Sequence, residues 1–118
     1  MWRTHQLRVR RQDGQDALRA LQIAEDNYFG KHARYASESE LRAADPKALA
    51  ANSLSARGHY KLSVTKSHDD LGYSITARAQ PREGQTMDTR CVELRIDQNG
   101  RRFAIDDAGE DRSADCWR

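Results

Sequence analysis

Apolar and polar positions change period once along this chain, and the change divides it into two halves. Between residues 6 and 32 the spacing is helical. Ala17, Leu21, Ala24 and Tyr28 recur at i, i+4, i+7 and i+11, and Leu18 widens the stripe. Arg19, Gln22, Glu25 and Asp26 are assigned to the opposite, solvated side, with Asp16 set against Arg19 at i+3. Gly14 is a weak point inside the helix, Gly30 is its expected stop, and no cap marks its start. From residue 60 the period is 2. Tyr60, Leu62 and Val64 alternate with Lys61, Ser63 and Thr65, and Tyr73, Ile75 and Ala77 alternate through a second run ending at Ala79. Ser67-His68-Asp69-Asp70 is the turn between them. Cys91, Val92, Leu94 and Ile96 predict a third strand, and Phe103 and Ile105 a shorter fourth. Asn99-Gly100 is the hairpin turn joining those two, with Asp97 beside it as a turn residue.

The connection over 33–59 is polar and alanine-rich. Ser37 and Glu40 have capping-box spacing, and Asp45-Pro46 reads as a second helix start. Leu41, Leu49 and Leu54 are expected to point inward. The tail from Asp106 to Ser113 is acidic and loop-like. The expected fold class is therefore α+β: one long helix laid by its apolar stripe on an antiparallel sheet of about four strands spanning 60–105, all within one domain of residues 1–118.

Composition narrows the function without choosing it. The chain has 118 residues, a mean hydropathy of -0.96 and 20 Lys+Arg against 18 Asp+Glu. No apolar run is long enough to span a membrane, and no apolar core follows MWRTHQLRVRR to make a signal peptide. The four histidines are scattered and no CxxC occurs, so neither a metal nor another cofactor is expected. No nucleophile elbow, phosphate loop, HExxH or dinucleotide fingerprint is present, and no catalytic residue is assigned. Two readings of Cys91 and Cys116 stand at this point: two unrelated thiols, or one bridge tying the tail to a strand, which would belong to an oxidising compartment. Arg3, Arg8, Arg10, Arg11 and Arg19 outnumber Asp13 and Asp16 over the first 20 residues. Arg8, Arg10 and Arg11 are read as a membrane-proximal basic stretch near anionic lipid. Nucleic acid is the less supported reading, because only Trp2 offers an aromatic nearby.

The strongest pattern is in the last third. YSITARAQ is followed by Gln85, Asp88, Cys91, Leu94, Asp97, Gly100 and a closing Cys116-Trp117-Arg118. With the basic stretch and the Ala17-Leu18 face of the long helix, this run resembles the type IV pilins, specifically the soluble part of a PilE-like minor pilin. The resemblance implies a pilin-like fold and a Cys91–Cys116 disulfide closing a D-region over 91–116. It implies a packing role for Trp117 over that bridge, or an interface role. Gln85 and Asp88 are expected to brace the loop before the third strand through backbone hydrogen bonds. It further implies a structural and assembly role in pilus initiation or a tip complex, and hence in adhesion, twitching motility or DNA uptake. The implied partners are other major and minor pilins, the inner-membrane assembly platform, and the membrane through an apolar N-terminal helix absent from this chain. The implied location is the inner membrane with the domain in the periplasm, then the pilus at the cell surface. A type II secretion pseudopilin and a periplasmic or surface module binding a ligand or DNA are the alternatives.

Overall fold

The computed structural model describes residues 2–117. Helix α1 spans Trp2–His32, starting four residues earlier than the periodicity suggests. At about 1.5 Å per residue its 31 residues account for the full 47 Å length of the molecule. Gly30 does not stop it. The helix runs through to His32, and Ala33 takes the left-handed conformation beyond it (φ 56°).

Four strands come next as an antiparallel meander in the order β1-β2-β3-β4: β1 Tyr60–Lys66, β2 Tyr73–Ala79, β3 Glu93–Asp97 and β4 Arg102–Ile105. Alternation in β1 places Tyr60, Leu62 and Val64 inward, opposite Ala79, Ala77 and Ile75 of β2. Leu94 and Ile96 continue this inner face on β3. In β4 the inward residue is Ala104, opposite Leu94. Phe103 stands on the solvent side.

The helix stripe is continuous but shifted from the apolar one. Leu7, Arg11, Gly14, Leu18, Leu21, Glu25 and Tyr28 alternate steps of four and three, and this row faces the sheet. Glu25, assigned above to the solvated side, is fully buried. Leu18, Leu21 and Ala24 are core residues, while Ala17 and Tyr28 pack at its margin.

In the connection, α2 (Glu38–Ala44) opens with the expected capping box: Ser37 Oγ accepts from Glu40 N, and the Glu40 carboxylate accepts from Ser37 N. Asp45 is the C-cap of α2, and Pro46–Ala48 forms a turn instead of a second helix. The Asp45 carboxylate accepts from Ala48 N at 3.1 Å, so the capping chemistry is present over a single turn. Leu41 and Leu49 are buried; Leu54 is half-buried and bridges to Lys61. Both sheet edges are covered. Residues 53–55 and the Glu38 carboxylate take the β1 edge, and the tail takes the β4 edge through Arg112 N to Ala104 O and Ala104 N to Ser113 Oγ. No helix among the described residues is long and apolar enough to cross a membrane.

Candidate functional site

The closed C-terminal region is built around one covalent bond. Cys91 and Cys116 form a disulfide with their Cα atoms 5.8 Å apart, enclosing β3, β4 and the short helix α3 (Ser113–Cys116). Cys91 lies two residues before β3, in a turn where its N–H donates to Asp88 O, and not at the start of the strand. Both sulfurs are buried in the core. The tail is also tied to α1: Gln15 Nε2 donates to Cys116 O at 2.8 Å.

The acidic tail is more ordered than a loop. Asp106 accepts from Ala108 N and Glu110 N through one oxygen and from Arg112 Nε through the other. Those backbone donors, Glu110 foremost, hold its carboxyl below the usual range, helped by Arg112. Trp117 packs at the margin of the core cluster that includes Cys91 and Cys116. Its indole Nε1 donates to Phe103 O at 2.7 Å, and the Arg102 guanidinium lies 5.2 Å over its ring. At the β3–β4 turn Gly100 has φ 75°, and Asp97 Oδ1 accepts from Asn99 N and Arg101 N.

Below this region, α1 is docked by polar groups. Arg11 forms a two-pronged pair with Asp88, Nε to Oδ2 and Nη2 to Oδ1, both at 2.7 Å. Gln85 is fully buried; its Nε2 donates to Leu7 O and to Tyr60 Oη. Gln85 and Asp88 therefore brace the loop through the helix and Tyr60 as well as through the backbone. Asp13 accepts from Ser55 Oγ, Arg57 N and His59 N. Arg8 lines a cleft of about 630 Å³ that also includes Arg11, Gln12, Thr89 and Arg90. Arg10, the third of the basic stretch, is half-buried. Arg118 and the side chains of Trp2 and Arg3 lie outside the described residues. Asp13, Gln15 and Glu25 carried no signal in the sequence that separated them from surface polar residues.

At the other end a strap over 33–37 crosses from α1 to α2. Ala36 N donates to Glu25 Oε1 at 2.7 Å, and Tyr35 N donates to Asp70 O. Glu25 Oε2 and Tyr73 Oη are buried without a hydrogen-bond partner among the described residues. Burial pushes the Glu25 carboxyl up to about 7 against the opposing pull of the Ala36 N–H. On the exposed side, Arg34 and the Ser37 N–H hold Glu40 well below the carboxylate range.

A long helix on a four-stranded meander, with a disulfide-closed C-terminal region, is the plan of a type IV pilin. A solved type IV pilin from Shewanella oneidensis has this fold: TM-score 0.57 at 24% sequence identity, covering 81% of this chain and 89% of that one. Residues 1–95 match the family described as type IV minor pilin ComP, DNA uptake sequence receptor, and the chain belongs to that family. The matched span takes in α1, the connection, β1, β2 and most of β3, and stops before β4. No curated protein matches the chain. Fold and family are those of a pilin subunit.

Proposed function

We propose that this domain is the DNA-contacting part of a minor pilin, joined to other pilins in a type IV pilus and capturing duplex DNA for uptake. The observation that carries the reading is the family match over residues 1–95, whose description is that of a DNA uptake sequence receptor. The fold suits the role. A rigid helix-on-sheet body with two covered edges resists unplanned strand pairing, while the loops and the solvent face of the sheet stay available for recognition. The N-terminal half of α1, with exposed Arg8, is the part we assign to the membrane-proximal side. The inner-membrane assembly platform and the periplasm-to-surface route belong to this reading as the pilin's expected surroundings.

The test is selection from a random duplex library on the folded domain, followed by anisotropy titration of the enriched duplex and a scrambled one. Convergence on one sequence word, bound more tightly than its scramble, is the expected result. Absence of binding to any duplex at low salt overturns the reading. Deletion in the source strain separates this role from assembly alone: a receptor loses transformation while pili remain, whereas an initiating subunit loses pili.

A further inference from the structure

The sheet has two faces, and only one is explained by the fold. On the solvent side Lys61 of β1 stands directly opposite Arg78 of β2. Like charges facing each other across a strand pair destabilise a sheet. Lys61 has no carboxylate partner among the described residues. Arg78 and Arg95 are both held by Glu93, at 3.1 Å and 2.7 Å. That carboxylate lies beneath them, with its side chain 13% exposed against 63% for Arg78 and 47% for Arg95. The two guanidiniums are thus anchored from below and directed outward. Ser63 and Thr76 form a hydroxyl pair at 2.7 Å in the next row, and Thr76 is opposite Arg95.

We infer that this face, Lys61, Arg78 and Arg95 with the Ser63–Thr76 hydroxyls, seats the phosphate backbone of duplex DNA. The inference rests on the DNA-uptake reading and adds where the duplex lies and what it contacts. Lys61, Arg78 and Arg95 outnumber the shielded Glu93 and Asp97 at the turn end of β3, which leaves the patch positive. Its shape favours a polyanion over a small one. The cations are spread over three strands about 5 Å apart, so the patch is about 10 Å wide, broader than a single phosphate. A duplex carries a charge about every 1.7 Å along its axis, so several phosphates fall within that breadth. Arginine, lysine and hydroxyl side chains are also the usual phosphate ligands. Phe103, exposed on the same face opposite Arg95, bounds the patch on β4, while the patch itself offers only phosphate ligands. It therefore fixes the position of the duplex and reads no bases; sequence preference arises elsewhere on the domain.

The test compares the wild-type domain with Lys61→Gln/Arg78→Gln/Arg95→Gln and with an equal charge change elsewhere, Lys31→Gln/Lys47→Gln/Arg57→Gln. Each is titrated against the selected duplex and its scramble over a salt series. For the sheet-face variant, affinity for both duplexes should fall at least about tenfold, and the slope of log K against log salt should drop by about 0.9 for each phosphate no longer neutralised. The ratio between the two duplexes should be unchanged. The control variant should change by less than about threefold at the same salt. Lys61→Gln alone guards against a folding defect. It relieves the like-charge pair, so thermal stability should hold or rise while the slope still falls. The proposal is overturned if the sheet-face variant, folded by circular dichroism, binds as wild type does, or if the control loses as much. It is overturned too if the selectivity ratio collapses with it. If the wild-type domain binds no duplex, the DNA-uptake reading falls and the proposal with it, a result distinct from the others.

Discussion

The two halves of α1 sit on the same sheet by different means. The upper half is sealed by apolar packing: Leu18 and Leu21 are fully buried, and Ala24 nearly so. The lower half is held by directed polar contacts, namely Arg11 to Asp88, Gln15 to Cys116 O, Gln85 to Leu7 O and Asp13 to the 55–59 turn. Apolar packing is non-directional and tolerates small slips, whereas a two-pronged ion pair fixes register and orientation. The difference teaches where the helix is adhesive and where it is aligned. The aligning contacts reach the segments that flank the disulfide, so the closed region keeps a set orientation to the helix axis.

Breaking the alignment should give the largest effect. Asp88→Ala strips the partner from Arg11, whose side chain is only 13% exposed. Leaving a charge unpaired there should cost about 3 kcal/mol of unfolding free energy. Arg11→Met combined with Asp88→Leu removes both charges and should recover most of it, because an apolar pair of similar volume is often no worse than a buried ion pair. Urea denaturation of the three proteins measures this. A loss below about 1 kcal/mol for Asp88→Ala would show that the pair does not hold the lower half.

The same contrast explains what was legible in the sequence. Helical period, strand alternation, the Asn99-Gly100 turn and the Ser37–Glu40 capping box are local signals, and local geometry honours them. The phase of the helix was not legible. The row facing the sheet includes Arg11, Gly14 and Glu25, which no hydrophobic pattern selects, so the apolar residues alone pointed to a face centred slightly to one side. Arg11 and Glu25 are inward because of partners 77 and 11 residues away, Asp88 and the Ala36 N–H. Such contacts leave no mark on local spacing. Asp45-Pro46 failed differently: the capping chemistry is real, but Pro46–Ala48 closes as a single turn. At the candidate site, the cysteines, the turn residues and the C-terminal tryptophan stood out as residues. The opposition of Lys61 to Arg78 did not, because it exists only once β1 and β2 are in register.

The upper half contains one exception to its apolar character, and pH should expose it. Glu25 rises to about 7 in the folded chain from an ordinary 4.5. A raised folded value means the protonated carboxyl is the one the fold accommodates. Its contribution is complete below about pH 4.5, declines as pH rises, and is fully lost above about pH 7, a change of about 3 kcal/mol. Asp69, Asp106 and Asp111 are shifted downward, so their stabilisation is lost only as pH falls below this window. Denaturant midpoints from pH 4.5 to 8 should therefore decline for wild type, and the decline should flatten in Glu25→Gln. A parallel decline in both proteins would assign the effect to another group.

The smallest expected effect lies where the two halves meet, and its sign is the informative part. Gly14 is in the helix interior, where alanine is intrinsically better by about 1 kcal/mol. A Cβ there would come within 3.0 Å of Tyr60 Cδ1 and 3.1 Å of Leu94 Cδ1. Neither neighbour has freedom to yield: both are fully buried, and the Tyr60 hydroxyl is held by Gln85. Overpacking of this kind costs about 1–3 kcal/mol, which exceeds the helix gain. Gly14→Ala should therefore lower the thermal midpoint by several degrees. Gly30 provides the internal control, because nothing lies within 4 Å of its would-be Cβ and its helix continues past it. Gly30→Ala should raise the midpoint by up to a similar amount, since only the propensity gain acts there. Opposite signs for one substitution at two positions of one helix would show that Gly14 sets how closely α1 approaches the sheet. A rise at both would mean that the contact with Tyr60 and Leu94 relaxes at little cost, and that the polar contacts alone position the lower half.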